Sequence, residues 1–273
     1  MKTFKKLVIY GISLSLFTGC ENLFVEKEVL IAEKHPMKSS FSDIFTEIPN
    51  DFMVELDENV DSENEEPPGT EEPEALPVVS NPEAMDVMVN KFWSLPEGYR
   101  PGDLVKPNVP FSFGNENSDR SKLRAEAAES LEVMFQAARG DGIELYARSG
   151  FRSFETQSTI FQNEIATSGY DRAVLYVALP GTSEHQTGLA MDITAKSVGL
   201  ELVEEIENTA EGKWLAENAH HYGFILRYPK GKTDITGYAF EPWHFRYVGI
   251  DMATEIFTKD ITLEEHMGDV RGF

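Results

Sequence analysis

The sequence predicts an α+β domain in which helices flank a small, mainly antiparallel sheet. Apolar residues recur at helical spacing in three stretches, four short stretches have the pattern of strands, and the two kinds follow one another in mixed order. All of these stretches lie within residues 85–273, a length that suits one hydrophobic core. We therefore expect a single domain over residues 85–273.

The helices are predicted over residues 119–138, 153–167 and 210–222. The strands are predicted over residues 143–149, 189–193, 224–228 and 243–248. Leu123 is the first apolar residue of the first helical stripe, and Gly140 and Gly142 end that helix. Gly150 separates the first strand from the second helix, and Gly223 stops the third helix.

The N-terminal residues have the pattern of a bacterial lipoprotein signal. Three lysines precede an apolar run over residues 7–17, which is too short to span a bilayer, and small residues precede Cys20. Phe17 departs from the small aliphatic residue that is usual at its position. Cys20 is the only cysteine, so no intramolecular disulfide is possible and acylation is its expected role. We expect a signal peptide over residues 1–19 and a lipid anchor at the extracytoplasmic face of the bacterial cell membrane, with a plain cleaved signal as the alternative.

Residues 20–84 are predicted to form an acidic, flexible tether. Within residues 21–84, 18 Asp and Glu stand against 3 Lys, which gives −15 of the net charge of −23. The Pro/Glu-rich residues 63–74 have no apolar periodicity and cannot bury enough surface to order themselves. Apolar residues within 41–56 could form a short amphipathic docking segment. The acidic balance argues against nucleic acid as a partner.

Two histidines and one aspartate have the character of catalytic zinc ligands. His185 is expected in a loop, Asp192 would end a strand seven residues later, and Gly188 lets the chain turn back between them. His244 begins the last strand and is the third candidate. Two histidines and a carboxylate leave a fourth position for water, whereas a structural zinc site would need cysteines. A single histidine is more often a structural residue, and the other four histidines are interpreted in that way.

Three motifs resemble those of the VanY-type D-alanyl-D-alanine carboxypeptidases and their L,D-carboxypeptidase relatives. They are Ser-x-His-x-x-Gly-x-Ala-x-Asp over residues 183–192, Glu-x-x-His over 241–244 and Ser-Gly-aromatic-Arg-Ser over 149–153. The resemblance extends from about residue 86 to residue 263, and Phe151 stands where many members have tyrosine. It implies the fold of the zinc peptidases that include lysostaphin and hedgehog.

The resemblance also implies roles for individual residues: zinc (Zn2+) on His185, Asp192 and His244, a catalytic base at Glu241, and a substrate pocket lined by Arg152, Gln157 and Ser183. The implied reaction removes the C-terminal D-alanine from peptidoglycan stem peptides. A guanidinium at position 152 could hold a free terminal carboxylate through two hydrogen bonds, which would favour a carboxypeptidase over an endopeptidase.

Three alternatives remain open from the sequence. The enzyme could be an L,D-carboxypeptidase acting on tetrapeptide stems, because that choice depends on one stereocentre of the substrate. It could be an endopeptidase that cuts cross-links, or a non-catalytic module that binds zinc and the cell wall. We expect a monomer that meets peptidoglycan between the membrane and the wall.

Overall fold

The computed structural model describes residues 75–273. The predicted signal peptide, Cys20, the segment 41–56 and most of the tether lie outside this range and stay predictions. Among residues 75–273, no helix has both the length and the apolar composition needed to cross a membrane.

Six strands form two antiparallel sheets in the described part of the chain. In chain order they are β1 (Leu104–Val105), β2 (Leu123–Arg124), β3 (Tyr146–Ser149), β4 (Ala190–Thr194), β5 (Phe224–Leu226) and β6 (His244–Tyr247). The main sheet has the order β3-β4-β6-β5, and every neighbouring pair in it is antiparallel. The predicted class and the four predicted strands are therefore confirmed, while the small β1-β2 sheet was not predicted.

Helices pack around the main sheet. They are α1 (Ala125–Gly140), α2 (Phe154–Ser168), α3 (Tyr170–Tyr176), α4 (Ala210–Asn218), α5 (Thr233–Thr236), α6 (Ile250–Lys259) and α7 (Leu263–Met267). Helix α2 begins where predicted, because the Ser153 side chain caps it by accepting a hydrogen bond from the backbone N of Thr156 at 3.3 Å. Helices α3, α5, α6 and α7 were not predicted.

The first helix begins at Ala125, six residues after the predicted start at residue 119. Residues 119–121 form a 3-10 turn, and Leu123 belongs to β2, which pairs with β1. The backbone N of Arg124 donates to Gly188 O at 2.8 Å, so this segment is held in extended form beside the turn at Gly188. Leu123 is apolar because it is fully buried in this strand, and its spacing from the apolar residues of the helix happens to be helical. The third helix likewise ends at Asn218 and continues as a 3-10 turn to Gly223.

The core lies between α1 and the main sheet. Ala127, Leu131, Met134 and Phe135 of α1 are at most 4% exposed and share one apolar cluster with Met191 of β4. Burying a side chain of leucine or phenylalanine size stabilises the fold by about 1.5–3 kcal/mol. This packing fixes the position of β4, the strand that carries Asp192.

The hydrogen-bonded structure begins before residue 85. Ser94 N donates to Pro77 O and Val79 N donates to Ser94 O, both at 2.9 Å. Val79 and Ala84 also pack against the apolar core. Residues 77–84, which we assigned to the tether, thus contact the domain, because they include apolar side chains that the Pro/Glu-rich run over residues 63–74 lacks.

Candidate active site

Three buried side chains converge at the centre of the main sheet. His185, Asp192 and His244 are each at most 4% exposed, and one ligand atom from each lies within 4.8 Å of the others. Asp192 of β4 is paired directly with His244 of β6, so antiparallel register places both on one face. The structure therefore brings the three predicted ligands together.

Two local details differ from the expectation for this cluster. His185 lies on a 3-10 turn, Glu184–Thr187, rather than in an irregular loop, and Asp192 is the middle residue of β4 rather than its end. Gly188 makes the turn between them with φ +69°, as predicted. A β-carbon at Gly188 would lie 2.8 Å from the side chain of Leu104, so the turn also packs too closely for another residue.

Hydrogen bonds orient both imidazole rings toward a common point. His185 Nδ1 lies 2.8 Å from Gly150 O, a group that can only accept, so the proton belongs on Nδ1 and Nε2 faces Asp192. His244 Nε2 lies 3.2 Å from Glu184 Oε2, and His244 Nδ1 lies 3.2 Å from Asp192 Oδ1. Metal-binding histidines commonly use their second nitrogen in this way, to bond a carbonyl or a carboxylate.

The electrostatics of the two histidines differ. Burial lowers the pKa of His185 to about 4, so its ring is neutral near pH 7. Burial also disfavours the charged form of His244, but hydrogen bonds to Asp192 and Glu184 outweigh it and raise the pKa to about 9. Asp192 stays ionised because its histidine neighbours and Arg152 hold its pKa well below the usual range despite burial. A metal ion would therefore compete with a proton for His244.

Arg152 lies against this cluster. Its Nη2 is 2.9 Å from His185 Nε2 and donates to Asp192 Oδ2 at 3.0 Å, while its Nε donates to Ser149 Oγ at 3.0 Å. Gln157, which is 1% exposed, accepts from Arg152 Nη1 at 3.3 Å and donates to Ala178 O at 2.8 Å. The structure thus places Arg152 beside the predicted pocket residue Gln157, with its cationic end on two of the three ligands.

The contact of Arg152 with His185 and Asp192 indicates that the site suits a metal ion. A positive group is already held between Asp192 and His185 Nε2, so the pocket accommodates a cation at these atoms. The two imidazoles and one carboxylate are a donor set that suits zinc. The residues present therefore fit a zinc ion, which would compete with the Arg152 guanidinium for the same atoms.

Glu241 lies next to the cluster without being part of it. The side chain is buried, with Oε2 3.9 Å from His244 Nδ1. Burial, helped by the charge of Asp192, raises the pKa of Glu241 to about 8, although His244 and Arg152 oppose the shift. A raised pKa means that this buried carboxyl holds a proton more readily than an ordinary glutamate, which suits a group that transfers protons.

All seven predicted site residues line one cleft of about 370 Å³. Ser183, which is 3% exposed, borders it immediately before Glu184. Arg120 and Arg148 also line the cleft, so it carries positive side chains in a protein whose net charge is −23. The rest of the wall includes four aromatic side chains, Tyr176, Tyr228, Tyr238 and Trp243, and four aliphatic ones, Ile160, Val177, Ala178 and Leu202.

A group of buried ions beside the cleft, which Glu184 itself lines, was not predicted. Glu184, Arg227, Arg246 and Glu264 have side chains at most 2% exposed and bond to one another. Strand alternation could have indicated Arg246, because it lies two residues after His244 and so shares its face. The sequence contains no comparable signal for Glu264, which lies 37 residues from its partner Arg227.

Comparison with known proteins agrees with this geometry. The family model for VanY, D-alanyl-D-alanine carboxypeptidase, matches residues 120–250, which contain every predicted metal and pocket residue. YodJ of Bacillus subtilis strain 168, whose carboxypeptidase assignment is itself provisional, is 50% identical over 198 residues, covering 72% of each chain. The chain belongs to the VanY family of D-alanyl-D-alanine carboxypeptidases.

Solved structures of this family are similar in fold. The structure of the LD-carboxypeptidase LdcB, described with its peptidoglycan recognition, has 50% identity and a TM-score of 0.69, covering 72% of this chain and 92% of that one. A variant of the vancomycin-resistance D,D-pentapeptidase VanY, solved with Zn(II), has 34% identity and a TM-score of 0.53, covering 67% and 98%. These similarities confirm the zinc peptidase fold.

Proposed function

We propose that the protein is a zinc-dependent carboxypeptidase that removes the C-terminal D-alanine from peptidoglycan stem peptides. The observation that carries this proposal is the convergence of a buried ligand triad, a buried glutamate and an arginine on one cleft. Family membership supports the reaction class, and VanY has been solved with zinc bound.

In this proposal, His185 Nε2, Asp192 and His244 Nδ1 hold the zinc ion. Bound zinc would polarise the scissile carbonyl and lower the pKa of the attacking water. Gly150 O and Glu184 orient the two rings so that these nitrogens face the ion. Glu241, adjacent to His244 but outside the triad, takes the proton from the water and returns it to the departing amine of D-alanine.

Arg152 would recognise the free carboxylate of the terminal residue. When a cation binds, Nη2 of the guanidinium can leave Asp192 and His185. The bond from Nη1 to Gln157 then keeps the guanidinium at the cleft. A bidentate pair with the substrate carboxylate would place the bond one residue from the terminus at Glu241. The further arginines of the cleft, Arg120 and Arg148, suit an anionic substrate.

A second candidate is removal of D-alanine from an L,D bond at the end of a tetrapeptide stem. The specific observation in its favour is the higher identity to the LD-carboxypeptidase LdcB, 50% against 34% for the D,D-pentapeptidase. Both reactions use the same residues in the same roles, and they differ in the stereocentre that precedes the cut bond.

We further propose that a lipid on Cys20 holds the enzyme at the outer face of the membrane, where stem peptides are accessible. Labelling cells with a fatty-acid probe tests this directly, because Cys20→Ala should abolish both labelling and membrane retention. A labelled Cys20→Ala protein would refute the anchor.

Digestion of defined muropeptides by the full-length protein tests the activity. The substrates are a pentapeptide ending in D-Ala-D-Ala, a tetrapeptide ending in D-Ala and a cross-linked dimer, each with added zinc and with chelator. Loss of one alanine from a monomer, abolished by chelator, supports the carboxypeptidase and distinguishes the D,D from the L,D reaction. Cleavage of the dimer alone would indicate an endopeptidase, and zinc binding without alanine release would indicate a binding module.

A further inference from the structure

We propose that Glu184 is a positioning residue for the metal ligand His244, fixing the nitrogen that faces the metal. The inference rests on the zinc site of the proposed function and adds a residue outside the predicted site. One oxygen of the buried Glu184 carboxylate bonds to two arginines of the ion group, and the other meets the imidazole of His244.

The side chain of Glu184 is fully buried, and both of its oxygens have partners. Oε1 accepts from Arg227 Nε at 2.7 Å and from Arg246 Nη1 at 2.9 Å. Oε2 lies 3.2 Å from His244 Nε2. Two arginines therefore immobilise the carboxylate from one side, while its other oxygen meets the imidazole.

The arginines are themselves anchored. Arg246 donates from Nη2 to Met85 O at 3.0 Å and to Val87 O at 2.6 Å. Arg227 is held from the opposite side by Glu264, which accepts from both of its terminal nitrogens at 2.6 and 2.9 Å. The carboxylate of Glu184 is consequently fixed relative to the sheet.

A fixed carboxylate at Nε2 determines which nitrogen of His244 carries the proton. In the neutral form of the ring, which is the form that binds a metal, Nε2 must be the donor because an ionised carboxylate can only accept. The lone pair of Nδ1 is then left for the metal beside Asp192 Oδ1. Without this acceptor the ring could rotate or place its proton on Nδ1, and either change would weaken metal binding.

Glu264 offers a matched control. Glu184 and Glu264 each contribute one negative charge to the same buried group of two arginines and two glutamates, and both bond to Arg227. Glu184 contacts His244, whereas the bonds of the Glu264 side chain go to Arg227 and Asn90. A purely charge-balancing role would make the two replacements equivalent, but a positioning role would not.

The test measures zinc affinity of the full-length protein by competition with a chromophoric chelator. Glu184→Gln places an amide between donors on both sides, so its NH2 group must face either the arginines or His244 Nε2. We expect zinc to bind about 10- to 100-fold more weakly than in the parent, with an altered visible spectrum when cobalt replaces zinc. Glu264→Gln should retain the parent affinity and spectrum, although it is also destabilised.

Glu184→Asp is the second variant, because it keeps the charge that balances the arginines but shortens the side chain by one methylene. It should fold more readily than Glu184→Gln and still bind zinc more weakly than Glu264→Gln. Equal zinc affinity in all three variants would overturn the proposal. A parent that binds zinc but releases no alanine would refute the proposed reaction alone, and a parent that binds no zinc would refute both.

Discussion

Removing one charge from the buried ion group should strongly destabilise the folded protein, and removing a second charge of opposite sign should restore most of the lost stability. The group contains Arg227, Arg246, Glu184 and Glu264, so its formal charge is zero. Arg227→Met leaves one uncompensated negative charge, and Glu264→Gln leaves one uncompensated positive charge. The double variant keeps the neutral pair of Arg246 and Glu184, which are bonded at 2.9 Å.

The magnitude follows from the burial of these side chains, each of which is at most 2% exposed. Breaking a pair so completely buried costs about 3–5 kcal/mol of the free energy of unfolding. For a domain of this size that corresponds to a fall in Tm of roughly 6–20 °C. The double variant should lose at least about 3 kcal/mol less free energy of unfolding than the sum of the two single losses. The loss that remains should come mainly from the missing hydrogen bonds.

Urea unfolding followed by tryptophan fluorescence would measure these free energies at pH 7. Chelator should be present throughout, because metal binding would add its own stabilisation. Lys230 and Glu207 provide a much more exposed control pair, bonded at 2.9 Å with side chains 67% and 30% exposed. Lys230→Met and Glu207→Gln should each cost less than about 1 kcal/mol and show little coupling. Additive losses at Arg227 and Glu264 would refute the charge-balance reasoning.

Three further predictions concern the cleft and its border. Glu241→Gln should keep zinc, because its carboxylate is not among the ligand atoms, but should lower kcat about 10²- to 10⁴-fold in the muropeptide assay; near-parent turnover would exclude it as the base. Arg152→Ala should lower kcat/KM about 10- to 100-fold for substrates with a free terminal carboxylate, and equal cleavage of amidated substrates by the parent would contradict the clamp. Asp119 accepts two hydrogen bonds from Arg100, which hold its pKa at about 2 against the opposing effect of burial. A carboxyl with a depressed pKa stabilises the fold at pH values above the ordinary pKa of aspartate, and this stabilisation is lost as the pH falls through 2. Asp119→Asn should therefore lower the free energy of unfolding by about 0.5–1 kcal/mol at pH 7 and leave it unchanged below pH 2. The figure is small because the two side chains are 45% and 40% exposed, and a loss that persists in urea titrations below pH 2 would contradict the assignment.

The parts of the fold that the sequence predicted are those with a local signal. The helix start near Ser153, the glycine turn at Gly188 and the two strands that carry Asp192 and His244 each depend on a few adjacent residues, and the structure contains all of them. The predicted ligands come together because the two strands that carry Asp192 and His244 are neighbours in the sheet, a pairing that no local pattern indicates. The roles assigned to the site residues stay predictions.

The parts that were missed depend on distant partners. Arg227 and Glu264 resemble surface residues in the sequence, because burial of a charge depends on a partner that the local pattern does not indicate. The apolar stripe that begins at Leu123 was ambiguous for a related reason. A buried residue in a short strand and one on a helical face are equally apolar, and the pairing of β2 with β1 decided between them.

The buried ion group has a function that an apolar cluster could not replace. Hydrophobic residues of similar volume often stabilise a fold as well as a buried ion pair does, so stability alone does not account for four charges beside the site. An apolar side chain in place of Glu184 would, however, leave His244 Nε2 without an acceptor. If the arginines serve chiefly to hold Glu184, then the double variant of Arg227→Met and Glu264→Gln should regain stability and also keep the zinc affinity of the parent, because Arg246 still holds the carboxylate against His244. A double variant that is stable but binds zinc as weakly as Glu184→Gln would show that Arg227 is needed for orientation as well as for charge balance.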